Sequence, residues 1–427
     1  MTDMAVAFDR QGVTVGKERQ CAADGLSPGI ALRWFALALL IRLLVGTVVD
    51  LYSLLRGFDG FYPLASGHDD RTYWYYATQL VQGQTVLWTP SSYPYALAAI
   101  FFLTGPSLVV GKLLNVLVGS LTVYIGVRLA QRLATERAPA SARAGIVAGH
   151  WAGAFLTFYP SLLFYSTQLV KDPLLVLAGV SALSLVLRFL RRPQSLIAML
   201  GVVAFGGMFL LRPYAALALA IGLFGFTLWL RRHWIAPAVV LAAVAPVALG
   251  WGVFGSAYLT RMLNPAFLTS FREGTYSIGG SATGIRLDFS NPLALLTSYS
   301  YSFATAMFGP FPWQLVSAAQ FIALPEALVL WALFPIWAMG LWRLARGRLG
   351  DEALLLIFSL VLIGAVALFS DNIGANTRLR MLSWLAFFLF ASLYLPEIRL
   401  PGRHGERQWR DDVPLATRED RDGYDHA

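Results

Sequence analysis

Charge and cysteine are what this sequence has least of. Its single cysteine, Cys21, lies in a polar N-terminal stretch and has no partner in the chain, which excludes an intramolecular disulfide framework and a cysteine metal site. Histidine is nearly as sparse: His68 and His150 stand isolated, without the paired His or Cys spacing of a transition-metal site. Only 13% of the residues are charged, whereas 57% are hydrophobic and 14% aromatic. A soluble domain carries roughly a quarter charged residues. With a mean hydropathy of +0.60, the chain reads as an all-α polytopic membrane protein. Its formal net charge of +9 falls in short packets between apolar runs. Nucleic-acid binding needs basic charge gathered on one exposed surface, so the packets read as topology, with anionic membrane lipid as a secondary partner.

Runs of about 20 apolar residues are long enough to cross a hydrocarbon core. Ten such segments are expected: 30–54, 106–131, 144–160, 173–190, 195–212, 214–230, 235–254, 327–344, 353–370 and 381–397. With ten spans, the packets at Arg128–Arg143, Arg188–Arg192, Arg231–Arg232 and Arg343–Arg348 share one side. The positive-inside rule makes that side cytoplasmic, placing both termini inside. Residues 1–28 lack the succession of a cleavable signal and read as a disordered cytoplasmic tail, with the first apolar run retained as an anchor. Residues 398–427 read as a second such tail, and 29–397 as the polytopic domain. Two outward loops follow, 55–105 and 255–325. Within the first, Tyr93–Thr104 is apolar but too short for an ordinary span and reads as interfacial or re-entrant. Within the second, Leu293–Phe308 is rich in serine and tyrosine and reads as a helix lying at the interface.

The most unusual feature is Ser66-Gly67-His68-Asp69-Asp70-Arg71-Thr72-Tyr73, an acidic pair just beyond the first apolar segment. Asp near the centre of a bilayer costs about 2.5–3.5 kcal/mol, so two adjacent carboxylates imply a role at the membrane surface. Thr72–Gln82 places Tyr73, Tyr76, Ala77, Leu80 and Val81 on one helical face, as in an amphipathic helix lying on a membrane. Asp70 stands where its N-cap belongs. Asp69, one residue earlier, is expected outside the helix and is either a general base or a solvated loop residue.

The order of apolar anchor, acidic pair, tyrosine-rich helix, Gly83 and Tyr93-Pro94 continues with Lys112-Leu113-Leu114-Asn115 and Arg128-Leu129-Ala130-Gln131-Arg132-Leu133. Phe158-Tyr159-Pro160-Ser161, Lys171-Asp172-Pro173 and Leu211-Arg212-Pro213 follow, with Asn376-Thr377-Arg378-Leu379-Arg380 before the last span. This series resembles the GT-C superfamily of polytopic glycosyltransferases, most closely the branch of protein O-mannosyltransferases and lipid A aminoarabinose transferases. The likeness is strongest over the first 230 residues or so. It implies inverting transfer of a sugar from a polyprenyl-phosphate donor to an acceptor glycan, lipid or protein at the outer face of a plasma membrane. It assigns the base to Asp69, with Asp70 in place of the acid that usually follows; the family pair is often Asp-Glu.

The leaving lipid phosphate needs fixed cations. Lys171, Arg212, Arg378 and Arg380, with Lys112, stand at outer ends of expected spans, against the positive-inside bias. Each grips phosphate, neutralises a neighbouring carboxylate (Asp172 for Lys171, Asp371 for Arg378) or snorkels to lipid headgroups, where Lys112 can equally rest. Asp172 itself is a second acidic site, a metal ligand or the N-cap of the helix opened by Pro173. No cofactor is demanded, although Asp69, Asp70 and Asp172 offer oxygen ligands suited to magnesium or manganese. Arg42, inside the first span, reads as packed against a neighbouring helix or snorkelling. In the long loop, the glycines at 274, 279, 280 and 284 suit a loop moulded around a phosphate or sugar or a plain flexible connection, the loop's length suits a lid or acceptor-recognition element, and Trp313 suits a sugar platform or an interfacial anchor. A lipid-linked saccharide transporter and a non-catalytic scaffold are the competing functions.

Overall fold

The computed structural model describes residues 27–57, 59–61, 69–86, 89, 91–139, 141–229, 264–276, 282–315, 321 and 323–395. Residues 1–26 of the expected N-terminal tail, the expected tail 398–427, the apolar run 235–254, the Arg231–Arg232 packet, Ser66–His68 and Gly279–Gly280 lie outside the described residues, while Pro28 already belongs to the first helix. Helices follow one another as α1 (Pro28–Leu55), α2 (Asp69–Val81), α3 (Tyr93–Thr104), α4 (Leu108–Arg137), α5 (Ala142–Phe158), α6 (Pro160–Tyr165), α7 (Asp172–Arg191) and α8 (Ser195–Leu211). They continue as α9 (Pro213–Trp229), α10 (Pro265–Tyr276), α11 (Pro292–Phe308), α12 (Leu324–Ala345), α13 (Ala353–Phe369), α14 (Ile373–Leu379) and α15 (Met381–Tyr394). Among the described residues the only β pairing is an isolated bridge between Ala282 and Asn372. Helices occupy nine of the ten expected segments, the tenth being undescribed. Four of them, α1, α4, α7 and α12, are long and apolar enough to cross a membrane, and shorter apolar helices accompany them.

α15 explains the packing. All of its residues are buried, as expected of a helix that is apolar all round. Around it stand α4, α5, α7, α12 and α13. Its two serines are satisfied internally, Ser383 Oγ donating to the Ser359 carbonyl at 2.8 Å and Ser392 Oγ to the Leu389 carbonyl at 2.7 Å. Glycines set the close approaches: Gly153 makes room for the Trp34 ring and Gly179 for Leu382. α1 presents the opposite character, with Leu40, Leu44, Val48, Leu51 and Leu54 exposed and only a narrow stripe buried. Such an apolar exposed face suits lipid. Arg42 on that stripe packs against α5, donating to the Leu156 carbonyl at 3.2 Å and back to the Ala38 carbonyl at 3.3 Å.

Three basic packets meet at one end of the bundle. Arg191 binds Glu136 at 2.8 Å and Asp351 at 2.6 Å, while Arg137 and Arg343 lie over the Tyr394 ring at 3.8 and 4.8 Å. At the other end, α2 packs on α3 through Tyr73 and Tyr93, whose rings are 5.2 Å apart. α3 has the bounds expected for the short apolar segment.

One element differs from expectation. α11 runs beside α13 in the same direction, because Tyr299 donates to the Gly364 carbonyl at 3.1 Å and Ser302 to the Ala367 carbonyl at 2.7 Å. The hydroxyls that made it read as a helix at the interface serve backbone oxygens of a neighbouring helix.

Candidate functional site

At the end of the bundle away from the basic packets, four separate stretches of chain converge. After α6 the backbone leaves helical form and is held by Asn115, whose Nδ2 donates to the carbonyls of Gln168 at 2.6 Å and Val170 at 2.8 Å. That clamp delivers Lys171 and Asp172 to the head of α7, where Pro173 costs no hydrogen bond. α8 stops at Arg212 because Pro213 follows, and a residue before proline is driven to extended backbone. Arg212 has φ −153° and ψ 95°, which throws its side chain sideways out of the helix line. Asn372 caps α14 by accepting from the Ala375 N–H at 2.9 Å, and this short helix carries Arg378.

Asp172 is the hub. Its side chain is 1% exposed, with Oδ1 accepting from Arg212 Nη2 at 2.5 Å and Oδ2 from Arg378 Nη2 at 2.7 Å and Nε at 3.0 Å. Arg378 then reaches outward, its Nη1 donating to Asp69 Oδ2 at 2.8 Å. Arg212 also donates to the Tyr214 hydroxyl at 2.8 Å, and the Arg378 guanidinium sits 5.5 Å from the Tyr165 ring centre. Burial lowers the affinity of Arg378 for its proton, but Asp172 and Asp69 outweigh it and hold the guanidinium well above its ordinary value. Burial, reinforced by Asp69, raises the Tyr73 hydroxyl.

These groups frame a cavity of about 340 Å³ lined by Asp69, Tyr73, Lys171, Arg212, Tyr214 and Arg378, among others. Lys171 makes no ion pair within 4.0 Å among the described residues, and burial together with Arg212 pushes its ammonium down to about 8 despite Asp172 and Asp69. Three cations, Lys171, Arg212 and Arg378, thus face two carboxylates, Asp69 and Asp172, leaving one net positive charge. The Asp69 side chain is 42% exposed, and its Oδ1 has no hydrogen-bond partner among the described residues. A carboxylate held by one oxygen and open at the other, beside an electropositive cavity, can accept a proton from a bound hydroxyl.

The remaining expected site residues lie elsewhere. Asp70 is 4% exposed and outside the cavity lining, its Oδ1 accepting from the Arg71 N–H at 2.9 Å. The helix begins at Asp69, so Asp69 is its first residue and Asp70 sits inside the first turn, where a cap was expected. Lys112 is held by the Asp50 carboxylate and the Gly60 carbonyl, a partner pair that keeps it from the cavity. Arg380 follows Arg378 by two residues, a rotation of about 200° on a helix, and points into the bundle. It donates to the carbonyls of Gly309 at 2.7 Å and Ala306 at 3.1 Å and lies 4.0 Å from the Trp384 ring centre. Asp172 caps nothing through its side chain, since both oxygens serve arginines. No group of three metal-ligating side chains forms among the described residues, so Asp69, Asp70 and Asp172 do not come together as one cluster. Asp371 does not pair with Arg378, and Trp313 stacks on Phe311 at 4.8 Å, away from the cavity. Tyr73, Tyr214 and Asn115 were not singled out as site residues, and only the spatial order of the helices reveals their places.

Comparison of the chain with protein-family models, with curated proteins and with solved structures finds no match.

Proposed function

We propose that this chain is an inverting membrane glycosyltransferase that moves a sugar from a polyprenyl-phosphate donor to an acceptor hydroxyl. In this reading ten spans place both termini in the cytoplasm and the cavity at the outer face of a plasma membrane, where α2 and α3 border it. The acceptor belongs to cell-envelope glycan, glycolipid or glycoprotein assembly.

The observation that carries the reading is the pairing of a half-open carboxylate, Asp69, with a cavity holding one excess positive charge. Asp69 Oδ1 takes the acceptor proton as the acceptor oxygen attacks the anomeric carbon from the face opposite the phosphate. The bond from that carbon to the phosphate oxygen breaks, and its electron pair stays on the leaving group. The donor is a phosphodiester with one negative charge, and the departing monoester carries two. Protonation of Asp69 raises the net charge of the surrounding cluster by one in the same step. Fixed cations that match charge as it develops stabilise the transition state most. Arg378 orients Asp69, while Lys171 and Arg212 meet the phosphate.

The test is incubation of the purified, detergent-solubilised chain with radiolabelled polyprenyl-phosphate sugars and membrane acceptor extracts. Transfer is expected from the wild type, with a loss of about 100-fold or more in Asp69→Asn at unchanged thermal unfolding and donor affinity. Absence of transfer across the donor panel by folded protein refutes the enzyme and leaves a transporter or scaffold.

A further inference from the structure

A second cavity, of about 320 Å³, lies between α10, the chain after it and the segment entering α14. Thr269, Glu273, Arg286 and Asp371 give it polar walls, and Ile285 and Leu287 an apolar one. The frame is firmly tied. Arg272 donates to the carbonyls of Ile285 at 3.0 Å and Ala367 at 2.7 Å and to Ser302 Oγ at 2.9 Å. Thr283 donates both its N–H and its hydroxyl to the Asp371 carbonyl, each at 3.0 Å, and Ala282 bridges to Asn372. Asp371 itself is only 9% exposed, and its Oδ1 has no hydrogen-bond partner among the described residues.

A buried acceptor without a donor is costly, which points to a ligand that supplies one. The charge balance narrows its class. Arg272 and Arg286 offset Glu273 and Asp371, so these walls carry no net charge, in contrast to the electropositive first cavity. We propose that this second cavity binds a neutral, hydroxyl-rich saccharide, with a sugar O–H donating to Asp371 Oδ1 and the ring lying on Ile285 and Leu287.

On the glycosyl-transfer reading, on which this step rests, that saccharide is part of the acceptor. Asp371 immediately precedes Asn372, the N-cap of α14, and Arg378 lies near the end of that helix, about 10 Å away along the chain at helical rise. Arg378 holds Asp69, so a reacting hydroxyl at Asp69 and a sugar at Asp371 belong to one molecule longer than a single ring. The acceptor is therefore an oligosaccharide or a glycan-bearing molecule, anchored by an inner unit in the second cavity.

Saturation-transfer difference NMR on the full chain in detergent tests the site directly. The probes are the methyl glycosides of glucose, mannose, galactose and arabinose, the corresponding disaccharides, and inorganic phosphate. Saturation transfer to at least one neutral sugar is expected, stronger for disaccharides, lost in Asp371→Leu and retained in Asp69→Asn. Thr269→Trp, which leaves Asp371 in place and fills the cavity, is expected to abolish it too, which guards against misfolding of the first variant. No transfer to any sugar, transfer unaffected by both cavity variants, or displacement of the sugar by phosphate overturns the proposal. Asp371-dependent sugar binding in a protein that transfers nothing keeps the site and removes the enzyme. Transfer of a lipid-linked sugar without sugar binding at Asp371 does the reverse.

Discussion

On the glycosyl-transfer reading proposed above, Lys171 makes donor binding depend on pH in a window where most side chains are silent. Burial, with Arg212 alongside, lowers its ammonium from 10.5 to about 8, and Asp172 and Asp69 only partly compensate. That displacement corresponds to at most about 3 kcal/mol of penalty on the charged form. A phosphate placed against the amine supplies a charge-assisted hydrogen bond of about 1.5–3 kcal/mol, comparable to the penalty. The protonated amine is the form that binds an anion, and its fraction falls about tenfold between pH 7 and pH 9 for a group titrating near 8. A phosphodiester keeps its single charge over that range, and ordinary carboxylates and guanidiniums do not titrate there. Tyr73, raised by burial, is removed from the window as well. The dissociation constant of a short-chain prenyl phosphodiester, followed by isothermal titration calorimetry, should therefore rise about tenfold across those two pH units. Lys171→Met should bind more weakly at neutral pH and show a flat profile. The unliganded protein should respond with the opposite sign. Because the folded-state value lies below the unfolded one, the unfolded chain binds more protons between about 8 and 10.5, and stability rises with pH in that interval. A flat profile in the wild type, or an unchanged slope in Lys171→Met, refutes the assignment of an accessible amine to the donor cavity.

Four further variants probe the same end of the bundle. Asp172→Ala leaves Arg212 and Arg378 without the carboxylate they share, and should cost about 3–5 kcal/mol in denaturant unfolding. Arg378→Lys cannot keep three donor bonds to Asp172 and Asp69, and should slow transfer about tenfold, or 1.4 kcal/mol, by releasing Asp69. Arg380→Lys, buried on the far side of the same turn, should lower the melting temperature and leave the transfer rate unchanged. Asn115→Ala strips the carbonyls of Gln168 and Val170 of their donor. It should lose about 1–3 kcal/mol of stability, with weaker phosphodiester binding because Lys171 and Asp172 lose their anchor.

What the sequence reveals and what it hides divide along physical lines. Membrane-length runs and the gathering of basic packets depend on composition over many residues, so they are legible without knowing which helix touches which. α3 has the bounds read from its apolar run alone. Which charge meets which is a question of helix order and rotation, and there the sequence is silent. Lys112, Lys171, Arg212, Arg378 and Arg380 look alike as cations near helix ends, yet Lys112 pairs with Asp50 while Arg378 finds Asp172 across 206 residues. The acidic pair shows how small the deciding quantity is. Neighbours on a helix differ by about 100°, enough to leave Asp70 4% exposed while the Asp69 side chain stays 42% exposed at the cavity. Starting the helix at Asp69, where the sequence suggested Asp70 as the cap, therefore gives Asp69 its role by rotation and by its bond to Arg378. The same rotation, doubled, separates Arg378 from Arg380. The placing of charge at this end of the bundle thus turns on the phase of two segments: a shift of one residue in α2 exchanges Asp69 for Asp70, and a shift of two at the end of α14 exchanges Arg378 for Arg380.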